Sequence, residues 1–239
     1  MIVNILAAGR GSRVNELTKD YPKALIKYKG KRLIEWSLAA IEEIFSREDV
    51  WIVTGYKANL LASYSDNLIH NSKWEKFNIG SSINEVFRKH SNKDCLFIYS
   101  DIYFEKQIIA EISNSNESSI VSVENWKKIW NLRFDKPQLD LESYTVDINN
   151  HVTGIGVKNP SINLINGQFA GIFYIKRNDW KRFRRMSKIT DEQINLKDST
   201  QLLSNMIECG VKFRNIKYTG EWAEIDTFSD LKRLEKVTE

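Results

Sequence analysis

A chain of 239 residues, 42% hydrophobic and 28% charged, has the composition of an ordinary globular protein and is long enough to bury a large core without disulfides. Its formal net charge of +4 is too mild for the concentrated basic stripe of a nucleic-acid surface and suits a site for small anions, so no nucleic-acid partner is expected. No apolar run approaches the roughly 18 residues of a membrane helix, and the first, 2–8, is short, is broken by Asn4 and lacks a basic start. Neither membrane insertion nor a signal peptide is expected. Cys95 and Cys209 lie beside apolar residues, which reads as two buried thiols in a reducing, cytoplasmic compartment.

In chain order, IVNILA (2–7) is a strand, and apolar residues at helical spacing (Leu33, Trp36, Ala40, Ile41, Ile44) predict a helix over 33–45. VWIVT (50–54) is a second strand, ended by Gly55, with helical stretches near 57–64 and 80–89. CLFIY (95–99) is a strand, 105–113 a helix and 119–123 a strand again. This alternation argues for an α/β fold with a mostly parallel sheet flanked by helices. In the second half, 144–148 and 152–157 read as an antiparallel hairpin across Asn149, Asn150 and His151. Residues 169–175 form a strand. A helix over 199–209 has Asp198 as N-cap, Gln201 three residues on and Gly210 as its stop. A strand over 211–216 and a last helix over 228–237 follow. No repeat or linker interrupts the chain, so a single domain over 1–239 is expected, with the polar stretch 188–197 as a mobile loop.

LAAGRGSR (6–13) stands directly behind the first strand. Glycines there turn backbone N–H groups toward a phosphate. It is not a Walker A loop, because Gly11 is followed by Ser12 and Arg13, and not a dinucleotide fingerprint, because Val14 stands where a third glycine is needed. Arg10 and Arg13 charge the turn, and Lys23 in YPKALI sits in an apolar run where a charge needs a partner.

Together, LAAGRGSR and PKALI resemble the signature of nucleotidyltransferases of the sugar-nucleotide pyrophosphorylase superfamily, which have a Rossmann-like α/β fold. The resemblance implies that Leu6, Ala7, Ala8, Gly9, Gly11, Ser12 and Arg13 wrap the phosphates of a nucleoside triphosphate. Arg13 and Lys23 would then be the catalytic cations, with Ser100 nearby. Nucleotide binding falls to about 1–115 and acceptor binding to about 116–239. Asp101, after CLFIYS, and Asp226, in EWAEIDTFSDL, match the family's two Mg²⁺ ligands, with Glu224 and Asp230 as lesser candidates; Asp230 reads as the cap of the last helix. The implied reaction is attack of an acceptor's phosphate or phosphonate oxygen on the α-phosphorus with loss of pyrophosphate. Such a nucleophile needs no general base, and His70, His90 and His151 are scattered surface residues.

NSKWEKFNIGSSI (71–83) resembles the base-binding segment of the cytidylyltransferase branch, with Asn78 and Ser82 at matching places, which implies CTP. Bacterial phosphocholine enzymes carry a second asparagine where this chain has Ile79, a departure that weighs against phosphocholine more than against CTP. Trp126, Trp130, Arg133, Asp140 and Glu142, with Lys158, Gln168 and Gly171, are similar to the pattern of 2-aminoethylphosphonate and phosphoglutamine cytidylyltransferases. In that reading Arg133 and Lys158 hold an acceptor anion, Glu142 an ammonium group, and Trp126 faces that ammonium. For Arg133 a competing partner is Asp140 or Glu142, nearby in sequence; for the tryptophans the competing role is core packing. The partners implied are therefore CTP and a small anionic phosphorus-containing acceptor, with a phosphocholine or sugar 1-phosphate acceptor as alternatives and a homodimer left open.

Overall fold

A computed structural model describes residues 1–11 and 18–235; Ser12 and Arg13 lie outside the described residues. The first half supplies β1 (Ile2–Ala7), a short β2–β3 hairpin (Lys27–Tyr28 and Lys31–Arg32), β4 (Val50–Thr54), β5 (Leu68–His70), β6 (Cys95–Tyr99), β7 (Ile102–Phe104) and β8 (Ser119–Val123). The second half supplies the β9–β10 hairpin (Glu142–Val146 and Val152–Lys158), β11 (Gln168–Ile175), β12 (Arg214–Tyr218) and β13 (Trp222–Glu224). Seven of these strands form one sheet in the order β12-β8-β11-β6-β1-β4-β5. All neighbours are parallel except β11, which runs antiparallel to both β6 and β8. Strands from both halves of the chain thus share one sheet, mostly parallel as the alternation predicts and in the Rossmann-like arrangement that the resemblance implies.

β1 is central and fully buried, as a parallel strand covered on both faces must be. Its alternation divides the core. Val3, Ile5 and Ala7 pack with Ile34, Ala40 and Ile41 of the helix Leu33–Glu42. Leu6 and the following Ala8 pack on the other face with Ile83, Val86 and Phe87 of the helix Ile79–Lys89. The loop that leaves β1 is therefore anchored on both sides before it reaches the cleft.

Several boundaries move for identifiable reasons. Only one 3-10 turn, Ala58–Leu61, forms within 57–64. The predicted strand over 144–148 stops at Val146, because the Asp147 carboxylate accepts from the backbone N–H groups of Asn149 and His151 and closes the turn. The strand expected at 211–216 begins at Arg214, where pairing to β8 starts. Before it, the Val211 N–H is taken by the Met206 carbonyl as the preceding helix ends at Gly210, which has φ +78°. Cys95 is buried in β6, but Cys209 is only partly so, at the end of that helix.

The stretch 188–197 is the larger correction. It contains a helix, Asp191–Asn195, closed by a capping box in which Thr190 and Gln193 exchange hydrogen bonds. Ile194 is fully buried, and Asp191 bridges Arg88 and Arg184. Its tail docks on the start of the helix Ile79–Lys89: the Asn195 carbonyl accepts from Asn78 N and the Lys197 carbonyl from Gly80 N, at 2.9 and 3.0 Å. The polar side chains that suggest a loop are used in caps and cross-links. Gly80 permits this contact, since a Cβ there would lie 2.1 Å from the Ile194 carbonyl oxygen. Gly80→Ala should lower stability by about 1–3 kcal/mol, the scale of forced overpacking; a melting temperature equal to the parent's in a thermal scan would show that the docked tail has room to move.

Candidate active site

Lys23 follows Pro22, whose extended backbone leads into a single 3-10 turn, Lys23–Leu25. Ala24 and Leu25 are buried, so they fix the turn and hold the lysine inward. Gly11, at φ +74°, lies over the lysine stem: a Cβ there would meet Lys23 Cδ at 3.0 Å. The glycine is thus required both by its backbone conformation and by the close approach.

Asp101 follows β6 at the carboxyl end of the sheet, where ligands bind in open α/β folds. Asp226 is brought to it by a ladder between halves of the chain. β13 pairs antiparallel with β7 (Trp222 with Phe104, Ala223 with Tyr103, Glu224 with Ile102), and Ile225 N–H donates to the Asp101 carbonyl at 3.0 Å. Lys23 Nζ donates to both carboxylates, to Asp101 and, at 2.6 Å, to Asp226 Oδ1. Burial pulls the lysine toward neutrality, but the charges of Asp101, Asp226 and Glu224 outweigh it, and its pKa lies above the usual lysine range. Glu224 completes the group: one oxygen each of Asp101, Glu224 and Asp226 lie within 4.8 Å of one another. Burial and then the neighbouring Asp226 charge push Glu224 above the ordinary carboxylate range. All the donors are carboxylate oxygens, the set that suits Mg²⁺ or Mn²⁺.

Two cavities meet at this cluster. The first, about 310 Å³, is lined by Leu6, Ala8, Gly9 and Gly11 of the turn, by Lys23, Ser100 and Asp101, and by Asn78 and Ser82. Among the described residues predicted there, Ala7 is the exception, because the alternation of β1 turns its side chain into the opposite core. Asn78 occupies the N-cap position of its helix without capping it; its amide donates to the Leu196 carbonyl at 2.6 Å. The cavity also takes in Asn71, Trp74, Phe77 and Tyr99, which the motif reading passed over. Asn71 is buried and its Nδ2 donates to Ser81 and Ser82 Oγ at 2.7 and 3.1 Å. The signal for Asn71, Trp74 and Phe77 lay in NSKWEKF, which directly precedes the matched asparagine; Tyr99 ends the strand CLFIY.

The second cavity, about 250 Å³, is lined by Glu224 and Asp226, by Trp130, Asp140, Glu142, Lys158 and Gln168, and by Phe169. Tyr99 and Asp198 line both cavities. Asp198 caps its helix as predicted, accepting from Gln201 N at 2.7 Å, and also stands between the two spaces. Glu142 and Lys158 form an ion pair at the rim. Gln168 Nε2 donates to the Glu142 carbonyl at 2.7 Å, and its Oε1 accepts from Glu142 N, which fixes that strand end.

Two residues expected at the acceptor are placed elsewhere. Trp126 is 6% exposed and packs in the core, away from both cavities. Arg133 has no exposed side-chain surface and faces neither a free ligand space nor Glu142. Its Nη1 donates to Glu224 at 3.2 Å, with Asp226 at 3.7 Å and Asp230 at 3.5 Å. Its nearest carboxylates come from the C-terminal segment, 91 residues or more away in sequence, because β13 carries that segment over the helix Trp126–Arg133. Trp130 stacks on Trp222, 5.6 Å between centroids, and its Nε1 donates to Asp140 at 3.1 Å. None of the three histidines lines either cavity; His90 is partly buried against Trp51.

A glycine turn and a buried lysine at the carboxyl end of a mixed α/β sheet, facing three carboxylates, define a nucleotidyltransferase. Residues 3–136 match the MobA-like NTP transferase domain, and the chain belongs to that family. Over 97% of its length the chain is 28% identical to the CTP:phosphoglutamine cytidylyltransferase of Campylobacter jejuni, covering 98% of that protein. It is 24% identical to the bifunctional protein GlmU of Methanocaldococcus jannaschii over 92% of its length, and spans 50% of that relative. Among solved structures, the CTP:phosphocholine cytidylyltransferase LicC of Streptococcus pneumoniae shares the fold, with a TM-score of 0.74 at 20% identity, covering 100% of this chain and 99% of that one. The inositol-1-phosphate CTP transferase of T. maritima does so at a TM-score of 0.69 and 15% identity, covering 99% and 96%. Among the described residues, no helix is long and apolar enough to cross a membrane.

The contact of Gly11 with Lys23 makes a direct test of the turn. Gly11→Ala should shift the lysine stem and lower kcat/KM by roughly 10- to 100-fold, measured as pyrophosphate release. Unchanged turnover would show that the lysine does not depend on the turn for its position.

Proposed function

We propose that this protein is a Mg²⁺-dependent cytidylyltransferase that transfers CMP from CTP to a small phosphonate or phosphorylated headgroup and releases pyrophosphate. The observation that carries the reading is the meeting of two cavities at one charged cluster. The first has the glycine turn, Lys23 and a wall of polar and aromatic side chains suited to a nucleotide. The second is small and lined by both aromatic and acidic side chains. The whole-chain similarity to a CTP:phosphoglutamine cytidylyltransferase supports both the nucleotide and the acceptor class.

The acceptor oxygen forms a bond to the α-phosphorus as the bond to the bridging oxygen breaks, and pyrophosphate carries away the electron pair. An anionic oxygen nucleophile leaves no proton to remove, which fits a cleft without histidine. Asn71, Asn78 and Ser82 would hold the base, and Gly9 and Gly11 would bring backbone N–H groups to the phosphates. Lys23, now bound to Asp101 and Asp226, would turn to the triphosphate as it enters and stabilise the charge that develops on the leaving group. Arg13 would share that task from the turn. Asp101, Glu224 and Asp226 would hold Mg²⁺, which supplies positive charge to the reacting phosphates when bound. In the second cavity, Glu142 and Asp140 would receive a cationic group of the acceptor and Lys158 an anionic one.

Asp101→Asn and Asp226→Asn should each lower kcat on the order of 10²-fold or more with the fold intact, because each removes a charge from the reacting centre. Near-normal turnover in either would remove that residue from the metal set. Lys23→Ala should weaken CTP binding and turnover together, and both staying within about twofold would refute its role at the phosphates. Acceptor class is decided by pyrophosphate release across four nucleoside triphosphates with phosphoglutamine, aminoethylphosphonate, phosphocholine and hexose 1-phosphates. Glu142→Gln should slow ammonium-bearing acceptors and spare those without an ammonium. Preference for a hexose 1-phosphate would replace this reading with a sugar-1-phosphate nucleotidylyltransferase.

A further inference from the structure

Among the described residues, Arg133 is the largest fully buried side chain. A buried guanidinium costs several kcal/mol of desolvation unless its surroundings repay it. Here the surroundings are of two kinds. Rings of Phe134, Trp130 and Trp222 lie 4.8, 5.3 and 5.9 Å from its central carbon. On the open side of this aromatic box stand Glu224, Asp226 and Asp230. Glu224 and Asp226 are two of the three carboxylates at the centre of the cleft. Asp230 caps the last helix: its Oδ2 accepts from the Asp226 and Thr227 N–H groups at 3.1 and 2.7 Å. One arginine thus lies within ion-pair distance of every acidic side chain of the segment 224–230: in its planar fork Nη1 hydrogen-bonds Glu224, while Nη2 and Nε stand 3.7 and 3.5 Å from Asp226 and Asp230 without a hydrogen bond.

The geometry points to Arg133 as a positioning residue: we propose that it sets the spacing and offsets the mutual repulsion of Glu224 and Asp226, so that the two carboxylates, with Asp101, form a divalent-cation site. The inference rests on the proposed metal-binding reading of these carboxylates. Lys23 balances Asp101 and Asp226 from the cleft side. Arg133 is the counter-charge on the protein side, and being enclosed it stays when a ligand draws Lys23 away. A lysine at 133 would keep the charge and lose the fork, so it can face one of the three carboxylates well but not all of them.

The test measures free Mn²⁺ by electron paramagnetic resonance in the presence of the full, nucleotide-free protein, alongside steady-state kinetics and circular dichroism. Arg133→Lys should fold, bind Mn²⁺ at least roughly tenfold more weakly and lose kcat by a similar factor, with KM for CTP and for the acceptor within about twofold of the parent. Asp230→Asn is the second variant. Its side-chain oxygen can still cap the helix, while its amide turns a donor toward Arg133 and should weaken Mn²⁺ in the same direction. Asp226→Asn is the control: if it leaves Mn²⁺ binding unchanged, the metal reading itself fails. If Asp226→Asn abolishes binding while Arg133→Lys and Asp230→Asn bind as the parent does, the positioning role is overturned. A rise confined to the acceptor KM would return Arg133 to acceptor recognition. Failure of both variants to fold would assign Arg133 to stability alone and overturn the proposal as well.

Discussion

Two buried cations hold together a cluster that would otherwise repel itself. Asp101, Glu224 and Asp226 bring one carboxylate oxygen each within 4.8 Å of one another, and Asp230 accepts from the Asp226 N–H. Lys23 faces this group from the cleft and Arg133 from the interior, each kept charged because neighbouring carboxylates outweigh the cost of burial. Removing one partner from such a buried pair typically costs about 3–5 kcal/mol, since the other is left uncompensated. Much of the architecture serves this balance. Pro22 and the short turn behind it aim Lys23, the β7–β13 ladder delivers Glu224 and Asp226, and the aromatic box encloses Arg133.

The antiparallel strand β11 has a corresponding role. Between β6 and β8 it brings Gln168 and Phe169 of the second half into the wall of the second cavity, which Glu224 and Asp226 also line. Gln168 then ties the end of the β9–β10 hairpin to the sheet by bonding both backbone groups of Glu142. The docked segment 190–198 closes the other side. It bridges the helix that borders the first cavity and ends on Asp198, which borders both. Neither cavity wall comes from one half of the chain alone, which explains how a family match over residues 3–136 leaves the carboxylates near residue 226 to the remainder.

Local features were legible wherever a residue's role depends on its immediate neighbours. The strands at 2–7, 50–54, 95–99 and 119–123 follow from short, mostly apolar runs, and the helix at 199–208 from its cap and its glycine. Lys23 stood out because a charge inside an apolar run needs a partner. The stretch 188–197 misled because its polar residues look solvated until Asp191 is seen between two arginines and Asn195 against Asn84. Arg133 misled for the same reason. Its neighbours in sequence suggested Asp140 or Glu142, whereas Asp140 is engaged by Trp130 and Glu142 by Lys158.

The sequence by itself determined the α/β class, the charged turn behind the first strand and the two separated aspartates, because spacing, burial pattern and turn chemistry are short-range properties. Only the tertiary structure decided what those charges face. The pairing of β13 with β7 sets Glu224 beside Asp226 and Asp101, and the packing of the helix Trp126–Arg133 beneath that strand turns an arginine expected at a ligand into an internal counter-ion. Electrostatic partnership in a buried site depends on distances of a few ångströms between segments far apart in sequence, and chain closure rather than local pattern sets those distances.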